Sequence, residues 1–339
     1  MIAFGSALEF DHHNPDDRHP ERPERLRAVE YALDQLDLGD DLVVLPHRTA
    51  TTAEITRVHT PDYLEYLAQI TDAGGGELDA DTPLAAGSFA TAKQAAGLGL
   101  AAIDALRAGE ATAAFVAPRP PGHHAFTTRG SGFCLLNNVA IAAAALAAEG
   151  ERVLIVDWDV HHGNGTQAIF WDDPRVLYVS MHQWPWYPGT GDATEVGGRG
   201  AVGHTINVPL PAGATGDVAL RAIDYVVSEV VDQFAPTWVL ISAGYDAHRA
   251  DPLADLAWSA GDYALLTKRV LEFAPAPGRT IAFLEGGYDL AALAESVRAT
   301  VGVFAGTTID TEAATSGGPG MANVDQAWRR RNDQLDVMA

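Results

Sequence analysis

The sequence predicts an α/β fold in which helices flank a central, mostly parallel sheet, and three observations predict it. Short, continuously apolar, β-branched runs recur along the chain, the composition expected of strands buried on both faces. Ala-rich segments of helical length separate them. Five of these runs also lead into polar or ionisable residues, and the C-terminal edge of an open parallel sheet is where ligands bind.

Taken in order, region 1–80 reads as helices and loops that wrap the sheet. A helix over 88–107 precedes the first strand, Ala113–Ala117 (AAFVA), and a helix over 137–149 leads to Val153–Val156 (VLIV). Val176–Ser180 (VLYVS) follows, then a helix over 216–233 and the strand Trp238–Ser242 (WVLIS). Ser259-Ala-Gly-Asp262 has the form of a capping box opening a helix over 260–273, which leads to Ile281–Leu284 (IAFL). A helix over 289–303 completes the alternation. Residues 306–321 are rich in Gly, Thr and Ser and read as a mobile connection; Val324 to Val337 reads as a short helix carrying Arg329, Arg330 and Arg331. No Ser- or Pro-rich linker and no repeat interrupts the pattern. The reading is one domain over 1–305, with 306–339 part of that domain or an oligomer contact.

Composition bounds the function. Twenty-two Lys plus Arg stand against 45 Asp plus Glu, a net charge of −23. That balance argues against direct nucleic-acid binding and against an electrostatic grip on an anionic membrane, and it favours cationic partners. Hydrophobic residues at 47% are ample for a core. A single cysteine, Cys134, forbids an intrachain disulfide and favours a reducing, cytoplasmic location. Met1 to Phe10 lacks a basic segment followed by an apolar block, and the longest nearly apolar stretch, Val139 to Ala148, is about half a membrane span.

The residues beyond the strands carry the chemistry. AAFVA leads to Arg119-Pro-Pro-Gly-His123-His124; VLIV leads to Asp157-Trp-Asp159-Val-His161-His162-Gly-Asn164; VLYVS ends in Ser180-Met181-His182; WVLIS leads to Tyr245-Asp246; IAFL leads to Glu285-Gly-Gly-Tyr288. Asp157, Asp159 and His161 are spaced by two, so an extended backbone projects all three to one face. A carboxylate and an imidazole there, completed by a third ligand, make a metal site with one position left for water. Asp246 is the natural third ligand, and two oxygens with one nitrogen suit zinc or iron(II). Alone, Asp-x-Asp-x-His also fits carboxylates capping the next helix; Asp246 and two histidine pairs at the same edge favour the metal. Both His123 and His124 can serve one site only if the backbone turns, which Pro121-Gly122 allows. His162 reads as structural; His47 and His59 read as surface or scaffold, and His12, His13 or His19 could reach the site rim. Tyr288, presented by two glycines, could donate a hydrogen bond to a polarised carbonyl or simply pack at a strand end.

RPPGHH, GFCLLNNVAIAA, DWDVHHGNGTQAIF, AGYDAHRADPL and EGGY together resemble the histone deacetylase and acetylpolyamine amidohydrolase superfamily, most of all its class II and bacterial class II-like members. The likeness runs from His19-Pro-Glu-Arg-Pro-Glu-Arg to about residue 303. It implies the single-domain arginase/deacetylase fold and one zinc per chain on Asp159, His161 and Asp246. It also implies His124 as general base and then acid, His123 as its electrostatic partner, Asp157 and Asn164 as their orienting groups, and Tyr288 on the acetyl oxygen. Asn164 is a weaker proton acceptor than the Asp of some members, so His124 is expected to be less basic here. A tunnel is implied at Gly132, Phe133, Tyr187 and Leu253, with Trp186 nearby. So is a structural potassium site at Asp157, Ser180 and the carbonyls of Asp159, His161 and Met181.

The activity that follows is zinc-dependent removal of acetyl groups from lysine side chains of proteins or peptides, releasing acetate. The alternative is deacetylation of acetylpolyamines or other small amines. Leu253 stands where one polyamine-specialist group has Glu, which argues against that specialty, although Glu77, Asp79 or Asp81 could supply an acidic group. A two-manganese ureohydrolase, suggested by Asp246-Ala-His248, needs more carboxylates than these strand ends offer. A non-catalytic acetyl-lysine-binding module does not need an intact set of metal ligands, histidines and Tyr288. The aromatic 184–200 segment and residues 324–337 are the expected contacts of a homo-oligomer.

Overall fold

A computed structural model describes residues 1–6, 12–13 and 18–338. Residues 7–10 of the N-terminal stretch and Ala339 of the C-terminal segment lie outside the described residues. The strands are β1 (Ile2–Gly5), β2 (Leu42–Val44), β3 (Gly75–Glu77), β4 (Pro83–Ala85), β5 (Ala113–Val116), β6 (Val153–Asp157), β7 (Val176–Gln183), β8 (Thr205–Leu210), β9 (Trp238–Ala243) and β10 (Thr280–Leu284). Eight form one sheet in the order β2-β1-β5-β10-β9-β6-β7-β8, every pair parallel; β3 and β4 form a small antiparallel ribbon. β5, β6, β7, β9 and β10 are buried at every position, which is why apolar runs dominate their sequences.

Region 1–80 needs correction. It holds helices at Glu24–Asp34, Thr52–Ile55 and Pro61–Asp72, but it also contributes β1 and β2 to the sheet itself. β8 was likewise not expected. It is the far edge strand, and an edge tolerates Pro209, whose missing N–H would break the ladder of a central strand.

The expected helices form, and three of them have a side-chain cap. Asn137 accepts Ala140 N–H at 3.0 Å, Ser259 and Asp262 make the reciprocal capping box, and Asp289 accepts Ala292 N–H at 2.8 Å. The helix over 216–234 carries a π turn at Ile223–Val227, where Ser228 Oγ donates to Ile223 O at 2.9 Å. The last helix is longer than expected, Met321–Met338, and it buries Val324 and Ala327. Residues 306–320 form neither helix nor strand. Among the described residues no helix is long and apolar enough to cross a membrane.

Connectivity positions the site. From β5 the chain crosses to β6 and leaves a gap that β9 and β10 later fill. The loops after β5, β10, β9 and β6 therefore emerge side by side at one edge, a switch point of the kind that binds ligands in open α/β sheets.

Candidate functional site

Beyond β5 the chain turns so that both histidines of the tandem pair face the same space, with ring centroids 4.0 Å apart. His123 Nδ1 lies 3.0 Å from Asp157 Oδ2, and His124 Nδ1 lies 2.9 Å from Asn164 Oδ1. An amide oxygen only accepts, so His124 Nδ1 carries its proton and Nε2 is left as the basic atom. The two rings diverge electrostatically. Burial opposes charging His123, but the carboxylates of Asp159 and Asp157 outweigh it and raise its pKa to about 10. Burial, reinforced by the charges of His123 and His161, pushes His124 well below the ordinary histidine value.

The ligand atoms of Asp159, His161 and Asp246 all lie within 4.8 Å of one another. His161 Nδ1 is 3.1 Å from Asp159 Oδ1 and 3.2 Å from Asp246 Oδ2. Backbone N–H groups aim the carboxylates: Gly286 donates to Asp159 Oδ2 at 2.8 Å, and Val160 to Asp246 Oδ1 at 2.9 Å. A Cβ at Gly286 would stand 2.0 Å from Asp246 Oδ2, so no side chain fits there. Two wholly buried carboxylates converging on one imidazole are an uncompensated cluster, and burial together with the Asp159 charge pushes the Asp246 carboxyl up to about 7. A dication at this point satisfies all three, and oxygen and imidazole donors suit zinc or iron(II).

Asp157 is not part of that cluster. The strand geometry ends at Asp157, whose Oδ1 accepts the Asp159 N–H at 3.1 Å and bends the chain; the three residues therefore do not share one face as an extended backbone predicts. Its other oxygen takes His123 and the Tyr178 hydroxyl, 3.1 Å away. Asp157 is the register partner of Ser180 on β7, the two side chains expected at a potassium ion. His182 Nε2 donates to Gly191 O at 3.0 Å, so its Nδ1 accepts the Ser180 hydroxyl proton at 2.9 Å and leaves Ser180 lone pairs free. Met181 is buried on the same strand. A second group, His123, Cys134 and Glu285, also converges, but Glu285 is already engaged by the N–H groups of Gly122 and His123 and by the Ser242 hydroxyl.

The expected tunnel residues surround these groups. Tyr187 stands 5.2 Å from the His124 ring and 6.0 Å from the His161 ring, while Phe133 meets Tyr288 edge to face at 5.8 Å. Gly132, at φ +53°, passes so close to His124 that a Cβ would lie 2.5 Å from its Cδ2. Trp186 donates Nε1–H to Leu253 O at 3.0 Å and joins two walls. Burial and the nearby charges of Asp81 and Asp79 push the Tyr187 hydroxyl pKa upward, so the acidic turn between β3 and β4 borders this rim; Glu77 is exposed on β3. His19 packs on Phe133 at 4.5 Å and thus reaches the rim. His13 instead sits in the interior, bonded to Ser88, and His12 is exposed. His59 is a buried strut between Phe126 O and Asn137 N, His47 is exposed, and His162 turns away to Thr190 and Gln167.

Sequence reasoning missed the groups that hold these residues. Arg25, from the HPERPER stretch, donates to the carbonyls of Gly287 (2.8 Å) and Glu285, and its guanidinium lies 5.0 Å over the Tyr288 ring. Asp251 accepts the Tyr288 N–H at 2.6 Å and the Leu253 N–H at 3.0 Å. Glu21 sits between two fully buried guanidiniums, 2.7 Å from Arg119 Nε and 3.3 Å from Arg25. Burial opposes its ionisation, but Arg119, His13 and Arg25 outweigh it and hold Glu21 far below the carboxylate range. That stability is present at neutral pH and is lost as pH falls through the folded-state pKa. Glu21→Gln keeps the shape and strands the arginines, so it is expected to cost ~3–5 kcal/mol, read as a lower urea midpoint with an unchanged slope. A wild-type midpoint would refute the brace.

Fold and site together define a hydrolase of the arginase/deacetylase α/β class. The sequence model of the family described as "Histone deacetylase domain" matches residues 19–304. The chain belongs to the histone deacetylase family. A "Probable deacetylase" of Archaeoglobus fulgidus is 41% identical over 290 residues, 83% of this chain and 80% of the relative. The "Histone deacetylase-like amidohydrolase" of Pseudomonas aeruginosa is 39% identical over 276 residues, 80% of this chain and 73% of the relative. A solved structure, "Crystal Structure of HDA15 HD domain", matches with a TM-score of 0.91 at 34% identity, covering 99% of this chain and 98% of that one.

Proposed function

We propose that the protein is a zinc-dependent deacetylase that hydrolyses acetyl-lysine in proteins or peptides and releases acetate. The observation that carries this reading is the Asp159–His161–Asp246 cluster beside two histidines with opposite electrostatic settings. Asp159, His161 and Asp246 would hold the zinc, which supplies Lewis-acid activation of a water and of the acetyl carbonyl. Asn164 keeps the proton on His124 Nδ1, so Nε2 takes the proton of the attacking water and returns it to the leaving amine. His123, held charged by Asp157, stabilises the negative charge that develops. Tyr288 donates its hydroxyl proton to the acetyl oxygen, and Asp251 with Arg25 fixes the backbone that presents it. Gly132, Phe133, Tyr187 and Leu253 exclude water from the acyl-lysine stem. A potassium ion between Asp157 and Ser180 belongs to the same reading, as does a cytoplasmic setting in which Cys134 stays a free thiol.

The acidic turn at Asp79 and Asp81 favours cationic substrates generally, and it keeps acetylated polyamines as the second reading. The zinc-loaded enzyme is therefore expected to turn over acetyl-lysine peptides with a higher kcat/KM than acetylputrescine. Faster turnover of acetylputrescine would replace the first reading by the second, and no acetate from either would overturn both.

A further inference from the structure

We infer that the C-terminal segment 306–338 is a two-point clamp that sets the tunnel walls: Glu312 positions the loop carrying Asp246 and Leu253, and Arg330 positions the loop carrying Tyr187. The segment lies beyond the stretch shared with the family's sequence model, which ends at residue 304. The inference rests on the reading of the site given above.

The first point of the clamp is the part-exposed Glu312, set against the loop after β9. Glu312 Oε2 accepts from His248 Nε2 at 2.9 Å and from Ala260 N at 3.1 Å, and Oε1 accepts from Arg249 at 2.8 Å. His248 Nδ1 accepts the Ala250 N–H at 3.1 Å, so its Nε2 must carry the proton given to Glu312. His248 is only 4% exposed and stands two residues after Asp246. The same loop continues to Asp251, which holds the N–H groups of Leu253 and Tyr288. Glu312 is thereby linked through one short loop to a metal ligand, a tunnel wall and the Tyr288 backbone. Its own position is fixed by the residues that follow it. Ser259 Oγ donates to Ala313 O at 2.9 Å, and Thr315 donates from N and Oγ1 to the two oxygens of Asp262, at 2.9 and 2.7 Å.

The second point is on the last helix. Arg330 Nη2 reaches both carboxylate oxygens of Asp192, at 2.8 and 2.9 Å. Asp192 closes the aromatic segment that leaves β7, and it is followed by Thr194, whose N–H and hydroxyl it also accepts. Tyr187 lies within that segment, and Trp186 ties it back to Leu253. The Arg330–Asp192 pair is part exposed, so its contribution to global stability is small and its effect falls on where the loop sits.

The clamp is tested with Glu312→Ala, Glu312→Gln and Arg330→Ala in the full chain. Glu312→Ala is expected to weaken zinc affinity, measured by chelator competition, by about 10-fold or more, the scale for groups that hold metal ligands in place. Glu312→Gln retains an oxygen for His248 and is expected to restore most of it. Arg330→Ala is expected to raise KM with kcat and zinc affinity unchanged. Amide hydrogen exchange should quicken in 246–253 for Glu312→Ala alone and in 184–192 for Arg330→Ala alone. Wild-type zinc affinity together with unchanged exchange in both loops would overturn the clamp, as would a uniform loss of stability without that split. If the wild type deacetylates nothing, the functional reading fails, while zinc affinity and exchange still decide the clamp.

Discussion

Asp246→Ala is expected to strip the metal and cut kcat/KM by more than ~10²-fold, beyond the usual cost of removing a group that only supports a ligand. Asp246 supplies one of three converging donors, and its Oδ2 stands 3.2 Å from His161 Nδ1. Two donors cannot close a site that needs three protein ligands and one exchangeable position. The variant also orphans the Val160 N–H, which Asp246 Oδ1 accepts at 2.9 Å. Asp246→Asn separates the effects: its amide oxygen keeps the Val160 bond, so the fold should survive while zinc after dialysis is lost. Stoichiometric zinc in either variant would refute the ligand assignment.

Tyr288→Phe is expected to lower kcat by roughly 10²–10³-fold, the range for removing one donor to a developing oxyanion. Zinc content and KM should stay close to wild type. The ring's contacts with Phe133 and Arg25 involve no hydroxyl and survive the change. Asp251 still holds the backbone at residue 288. A near-wild-type kcat on the best peptide would remove Tyr288 from the reaction.

The strands that carry the site were legible because burial on both faces favours apolar residues, as in 153–156 and 281–284. The others were not. β1 is four residues long, β2 exposes Val44, and β8 holds Asn207 and Pro209, which break up its apolar pattern. The convergence of Asp159, His161 and Asp246 was legible because several strand ends carry polar residues at one edge, although Asp-x-Asp-x-His by itself also fits a helix cap. Asp157 was placed on the wrong face because the extended backbone stops with it. Glu21 and Arg25 carried almost no local sign of their role. Arg119 lies 98 residues from Glu21 and Gly287 lies 262 from Arg25, and only the closed sheet brings them together. The nearest signal was Glu21 and Arg25 four apart at a helix start, where one charge pairs with the next turn.

The order of strands has a consequence for synthesis. β5 and β6 are separated in the finished sheet by β9 and β10, which are made last. While residues 238–284 are still being translated, the inner edges of β5 and β6 have no native neighbours, and both strands are apolar up to Asp157 at the end of β6. Unpaired edges of this kind are templates for pairing with other chains. Of the three proposed metal donors, Asp159 and His161 are made early, whereas Asp246 arrives after β9 and the Gly286 N–H that steadies Asp159 arrives after β10. On the proposed reading, metal capture is a late event, and an ion bound there would report that the two halves of the sheet have been joined.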